Sequence, residues 1–379
     1  MQVIQHIKPL TSIRAFAALW VVSMHYHEEF SALFPPFRYF QWFTRSGGMG
    51  VDVFFVLSGF ILCYRHLKPE GGINGREYLH FIWLRVARVY PPYLGALLAV
   101  VAFVLIARVF HLHTSDAHYP PGVLIPELAM VHMWSWQNYQ LGWNAVDWSV
   151  SAEWFAYLLV FPIACFSLKW VKATGWQILA IILLLLALLL PWPLNQGDWK
   201  PMPPPCGQVT LEFLVGAILF SLRRQIGLLS AWLINLFLCG SMALSALLLA
   251  NPQPTGPLFR PLLVACFGLA IFALSHESGI FFKWLSIRPF VYLGEISYSI
   301  YLTHQIVQRV LKNILHPDRF HQLSAPVALL FLAIYGVAIL AIASLLYHLV
   351  EDPCRRYLRK VYPFGKSPGP VPGLANTAE

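Results

Sequence analysis

The sequence predicts an all-α, polytopic integral membrane protein of about ten transmembrane helices, with both termini in the cytoplasm. Three observations carry this reading. Of 379 residues, 58% are hydrophobic and only 11% are charged, against roughly 25% charged in a soluble globular protein. Apolar stretches near the ~20 residues that a bilayer requires recur along the whole chain. Lys and Arg gather in alternate connecting segments, as they do on the cytoplasmic side of a membrane.

Ten spans follow, at residues 10–31, 48–65, 90–110, 146–168, 174–193, 208–222, 228–250, 259–275, 291–310 and 325–350. With the N-terminus inside, 18 of the 26 Lys and Arg residues fall on the cytoplasmic side and 7 on the outer side. The outer loop 111–145 has neither. That loop carries His111, His113, His118 and His132, whose spacing fits no closed zinc site, so no metal is expected. Trp134, Trp136 and Trp143 suit a structured lid at headgroup level. Loop 194–206 is proline-rich and irregular. Residues 1–362 form one transmembrane domain, and the Pro/Gly-rich tail 363–379 is expected to be disordered. No signal peptide and no internal repeat is expected. The six cysteines are scattered, with no CxxC pair. The net charge of +9 follows from the cytoplasmic loops and requires no nucleic-acid partner.

Chemistry concentrates in a few stretches. The first span, LTSIRAFAALWVVSMHYHEEF, holds Arg14 and His25. Eleven residues are about three helical turns, so the two share a face about 16 Å apart in height. Ionisable groups inside a span are costly and so point to function. Two residues separated by one do not share a helix face, so His25 and His27 make no metal site. GVDVFFVLSGFIL puts Asp52 near the outer end of span two, with Ser58-Gly59 deeper, where small residues allow close helix contact. In LRVARVYPPY, Arg85 and Arg88 stand one turn apart at the cytoplasmic edge, as ordinary topological charge or as a phosphate clamp. In WSVSAEWFAY, Ser149, Glu153 and Tyr157 step by four and form one polar stripe. In GEISYSIYLTH, Ser297, Tyr301 and His304 share a face. LVEDPCRR ends the last span with Glu351 and Pro353. Counted at 1.5 Å per residue, His25, Glu153 and His304 fall at one level of the outer half of the membrane. Such a layer suits an acid–base site and equally a proton-coupled transporter.

Taken in order, Arg14-x10-His25, GVDVFFVLSGF, Arg-x-x-Arg, WSVSAEW, ISYSIYLTH and the final ExP resemble the membrane acyltransferase 3 family, integral O-acyltransferases of surface glycans and some secondary metabolites. The likeness runs from about Leu10 to Pro353. It implies an acyl-CoA donor, most often acetyl-CoA, transfer to a hydroxyl of a carbohydrate or related acceptor, a place in the bacterial inner membrane, and essential roles for His25 and Arg14. Some relatives carry a fused esterase-like domain; none is expected here, so the membrane domain or a separate partner would complete the transfer. On that basis Arg85, Arg88 and Arg14 hold the CoA. His25 acts as general base or as nucleophile. Glu153 or Glu28 orients it or binds the acceptor, and Tyr157, Tyr301, His304 and Asp52 face substrate. Two other readings remain at this point: a proton-coupled transporter or flippase using His25, Glu153 and His304, and a structural subunit whose polar groups only join helices.

Overall fold

The computed structural model describes residues 6–68, 71–111, 119, 121–134, 141–171, 173–189, 205–226, 229–250, 258–314, 320 and 323–363. Residues 194–204 of the predicted proline-rich loop and 364–379 of the predicted tail, together with His113, His118 and Trp136, lie outside these residues, while Pro205 and Cys206 open a helix instead of ending an irregular loop. Among the described residues every regular element is helical. In order these are α1 (Lys8–His25), α2 (His27–Leu33), α3 (Gln41–Thr44), α4 (Met49–His66), α5 (Gly75–Val109), α6 (Leu124–Leu128), α7 (Trp148–Phe155), α8 (Phe161–Ser167) and α9 (Thr174–Ala187). They continue with α10 (Pro205–Ile226), α11 (Ala231–Leu249), α12 (Phe259–Leu274), α13 (Ile280–Leu285), α14 (Arg288–Glu295), α15 (Ser297–Ile314), α16 (Ala325–Leu346) and α17 (Asp352–Lys360).

Six helical segments among the described residues are long and apolar enough to cross a membrane: 49–66, 75–109, 145–167, 205–226, 231–249 and 325–360. The apolar helices Thr174–Ala187 and Phe259–Leu274 are shorter. The predicted first and ninth spans fall mainly on α1 and α15, which carry Arg14 and His25, and His304, Gln308, Arg309 and Lys312, so hydropathy alone does not mark them as spans. The count of six therefore stands beside the predicted ten.

Local chemistry explains where the helices depart from the predicted bounds. The predicted span 90–110 lies within the 35-residue α5, which contains Pro91 and Pro92. Its start is fixed by a capping box: Asn74 Oδ1 accepts from the Glu77 backbone N–H at 2.9 Å, and Glu77 accepts from the Asn74 N–H at 3.2 Å. Arg76, Arg85 and Arg88 made this stretch read as loop, but it is helix. The predicted span 10–31 is interrupted at Tyr26, so α1 ends at His25. The predicted span 291–310 breaks at Ile296 between α14 and α15. π-helical turns join α7 to α8 at Ala156–Val160 and α16 to α17 at Tyr347–Glu351. Such turns commonly mark functional sites.

The core is built around the α4–α10 pair. A methyl group at Gly59 would stand 1.9 Å from the Phe213 carbonyl oxygen, and one at Gly216 would stand 1.9 Å from that of Val56. Each glycine thus lets the other helix's backbone touch it. α1 packs on α4, α14 and α15. At Gly294 a methyl would stand 2.0 Å from the Thr11 carbonyl oxygen. α17 lies along the start of α5, where Trp83 Nε1 donates to the Leu358 carbonyl at 2.7 Å.

Among the described residues, the segment before α7 packs against the helices. Trp143 is buried beside Tyr119. Trp134 Nε1 donates to the Ser151 carbonyl at 3.0 Å.

Candidate active site

Two linked regions gather the predicted residues. The first is a cavity of about 410 Å³ at the basic end of the bundle. Six arginines line it: Arg14 of α1, Arg65 of α4, Arg85 and Arg88 of α5, and Arg355 and Arg359 of α17. Arg65, Arg355 and Arg359 were missed by the sequence reading, which took them as topological charge. The four-residue step from Arg355 to Arg359, one helical turn, was the available signal. Arg85 is buried, with its guanidinium 5.6 Å from the Phe81 ring centre and 6.0 Å from that of Tyr157. Its Nε meets no acceptor among the described residues.

Deeper in the cavity stand Ser149, Glu153 and Tyr157, so the predicted stripe does share one surface. Ser58 donates to Glu153 Oε1 in a short hydrogen bond. Tyr301 also lines the cavity, with its ring centre 5.9 Å from that of His304. Its hydroxyl donates to the Val146 carbonyl at 2.7 Å and lies 2.7 Å from Ser149 Oγ.

His25 and His304 form the second region, beyond Tyr301 and outside that lining. Their ring centres are 4.9 Å apart, and His304 Nε2 lies 3.2 Å from His25 Nδ1. The structure therefore brings His25 to His304, while Glu153 pairs with Ser58. Glu28 is exposed, whereas Glu29 is buried with Gln308 and Lys312. Gln308, four residues after His304, was legible by spacing and was overlooked. His25 is the last residue of α1, where the carbonyl end of a helix favours positive charge.

Asp52 belongs to a separate buried cluster. Arg260 Nε donates to its Oδ1 at 2.8 Å and Nη2 to its Oδ2 at 3.3 Å, Gln208 Nε2 donates to Oδ1 at 3.3 Å, and Glu212 lies 3.7 Å from Arg260. It joins α4 to α10 and α12.

A further polar cluster holds the loop before α7. His132 Nε2 is 3.1 Å from Asp147 Oδ1, the Asn144 N–H donates to Glu127 Oε1 at 3.3 Å, and the Tyr93 hydroxyl donates to the Glu127 carbonyl at 2.7 Å. Burial, with the Asp147 carboxyl adding to it, pushes the Glu127 carboxyl up to about 8. Burial pushes the His132 imidazole down to about 4. The ordinary values are 4.5 and 6.5. Above pH 6.5 His132 is neutral whether folded or unfolded, while up to about pH 8 Glu127 keeps its proton only when folded. The folded state then binds more protons than the unfolded one, so stability falls as pH rises. The melting temperature is expected to drop between about pH 6.5 and 8, and Glu127→Gln is expected to flatten that limb. A flat wild-type curve over this window would show that Glu127 is ionised in the folded protein.

The sequence as a whole is similar to known proteins. The family profile described as an acyltransferase domain matches residues 9–348. The chain is 28% identical over 396 residues to the acyltransferase MdmB of Streptomyces mycarofaciens, covering 96% of this chain and 95% of that protein. It is 24% identical over 385 residues to the O-acetyltransferase OatA of Staphylococcus aureus, covering 95% of this chain and 59% of OatA. It is 25% identical over 382 residues to the putative peptidoglycan O-acetyltransferase YrhL of Bacillus subtilis, covering 93% of this chain and 55% of YrhL. The chain thus spans nearly all of the first relative and little more than half of the other two. No solved structure gives a significant match.

Proposed function

Since the chain belongs to the acyltransferase 3 family, we propose that this membrane acyltransferase moves an acyl group, acetyl in the first instance, from acyl-CoA to a hydroxyl of a carbohydrate or related acceptor. The observation that carries the reading is the six-arginine cavity, whose lining residue Tyr301 has its ring centre 5.9 Å from that of His304. Coenzyme A bears a diphosphate and a 3′-phosphate, and guanidinium groups match phosphate oxygens in charge and geometry. Arg85, Arg88 and Arg14 hold these groups, with Arg65, Arg355 and Arg359 around them. The basic end faces the cytoplasm of a bacterial cell, where CoA is made, and the acceptor reaches His25 from the other side of the inner membrane.

His25 accepts the proton of the acceptor hydroxyl as its oxygen bonds to the thioester carbonyl carbon. The carbon–sulfur bond then breaks, and the proton passes from His25 to the departing thiolate. To donate a hydrogen bond as negative charge develops on the carbonyl oxygen, the Tyr301 hydroxyl turns away from the Val146 carbonyl, its acceptor here. Glu153 and Tyr157 line the path of the acyl group.

The test is release of CoA thiol by the purified protein supplied with acetyl-CoA and a panel of glycan acceptors. Acceptor-dependent release supports acyl transfer. A folded protein that neither binds acetyl-CoA nor releases thiol overturns the reading and favours a proton-coupled transporter.

A further inference from the structure

Backbone carbonyl oxygens accept hydrogen bonds and never donate them. His304 Nδ1 lies 2.7 Å from the Tyr301 carbonyl oxygen and 3.3 Å from that of Ile300, so it carries a proton. The residue is wholly buried, where an imidazolium without a counter-ion is costly. In the neutral ring the other nitrogen, Nε2, is a lone pair. That lone pair faces His25 Nδ1 at 3.2 Å. Two lone pairs cannot face each other at this distance, so His25 Nδ1 is the protonated nitrogen. The Val21 carbonyl oxygen, 3.0 Å from the same Nδ1, makes the same demand. His25 Nε2 is then the nitrogen left to act as a base.

The backbones that carry the two rings are tied to each other. The Tyr26 hydroxyl donates to the His304 carbonyl at 2.5 Å, and Gln308 Nε2 donates to the His25 carbonyl at 2.6 Å. Gln308 Nε2 also lies 2.7 Å from Glu29 Oε1, which Lys312 Nζ approaches at 2.8 Å. Each histidine's backbone is thus held by a residue of the other helix or its extension.

We propose that His304 is the positioning residue of His25: together with the Val21 carbonyl it holds the proton on Nδ1 and leaves Nε2 facing the acceptor hydroxyl. The proposal rests on the general-base reading of His25. His304 fills the place that a carboxylate holds in a Ser-His-Asp triad, but as a neutral acceptor. When His25 Nε2 takes the hydroxyl proton, its Nδ1–H bond to His304 becomes charge-assisted and strengthens. His304 itself gains and loses no proton.

The experiment combines steady-state kinetics with 15N spectroscopy of histidine-labelled protein in nanodiscs, on wild type, His25→Ala, His304→Leu and His304→Gln. The His25 signals are those missing from His25→Ala. In wild type they are expected to show a proton on Nδ1 and a lone pair on Nε2. His304→Leu is expected to lower kcat about 10- to 100-fold, the loss of one hydrogen bond to a charged group. KM for acetyl-CoA stays within about twofold, and the Nε2-protonated form of His25 gains population, since the Val21 carbonyl alone then holds the Nδ1 proton. His304→Gln, whose amide oxygen can accept from Nδ1, is expected to restore most of kcat and the Nδ1-protonated form. Full kcat in His304→Leu, an unchanged His25 tautomer there, or a His304→Gln defect as deep as the leucine one would each overturn the positioning role. So would a wild-type His25 protonated on Nε2, a result that needs no substitution to fold. Activity retained by His25→Ala would instead remove the general-base reading.

Discussion

His25→Ala is expected to lower acyl transfer by about 10²- to 10⁴-fold, the range of a positioned general base, with acetyl-CoA binding changed less than about twofold. Alanine removes the ring-to-ring contact of His25 with His304, yet the Tyr26 and Gln308 ties between the same helices remain. The protein should therefore insert and purify normally. Because the arginine cavity stops short of His25, donor binding and chemistry are separable, and the defect should sit in kcat. Single-turnover measurement of CoA-thiol release, beside calorimetric titration with acetyl-CoA, reads the two apart. Full turnover would remove His25 from the mechanism.

The second large effect is expected at the other end. Arg85→Ala combined with Arg88→Ala should raise KM for acetyl-CoA about 10²-fold or more. Each charge-assisted bond to phosphate contributes about 1.5–3 kcal/mol, and about 1.4 kcal/mol corresponds to tenfold. Four arginines remain in the cavity, so binding should weaken without vanishing, and saturating donor should recover most of kcat. Arg85→Lys is not expected to substitute, because an ammonium lacks the planar fork that lies between Phe81 and Tyr157. An unchanged KM in the double variant would reduce the pair to topological charge.

Helical periodicity made part of this legible from sequence. Ser149, Glu153 and Tyr157 at steps of four do line one wall, and the counted heights of His25 and His304 agree with their contact. Glu153 was counted to the same layer, yet it lies across Tyr301 with Ser58 as partner, because rise along a helix says nothing of lateral position. Asp52 and Arg260, 208 residues apart, meet only through tertiary packing of α4 and α12. Nothing in the local pattern near Tyr26 announced the break that makes His25 a helix terminus. The start of α5 was readable, since Asn74 and Glu77 have capping-box spacing, but the density of positive charge after them argued for loop.

The length of α5 has a consequence for partitioning between oil and water. Its 35 residues extend about 52 Å at 1.5 Å each, whereas the hydrocarbon layer is about 30 Å thick. If the apolar stretch 90–109 fills that layer, the turn bearing Arg85 and Arg88 stands just beyond it, flanked by α17. On the proposed reading, the nucleotide carrier then stays hydrated throughout the cycle and its phosphates never meet lipid. Only the thioester end reaches inward. Each methylene of the acyl chain that leaves water gains about 0.8 kcal/mol, so the portion admitted to the interior is the portion that favours being there.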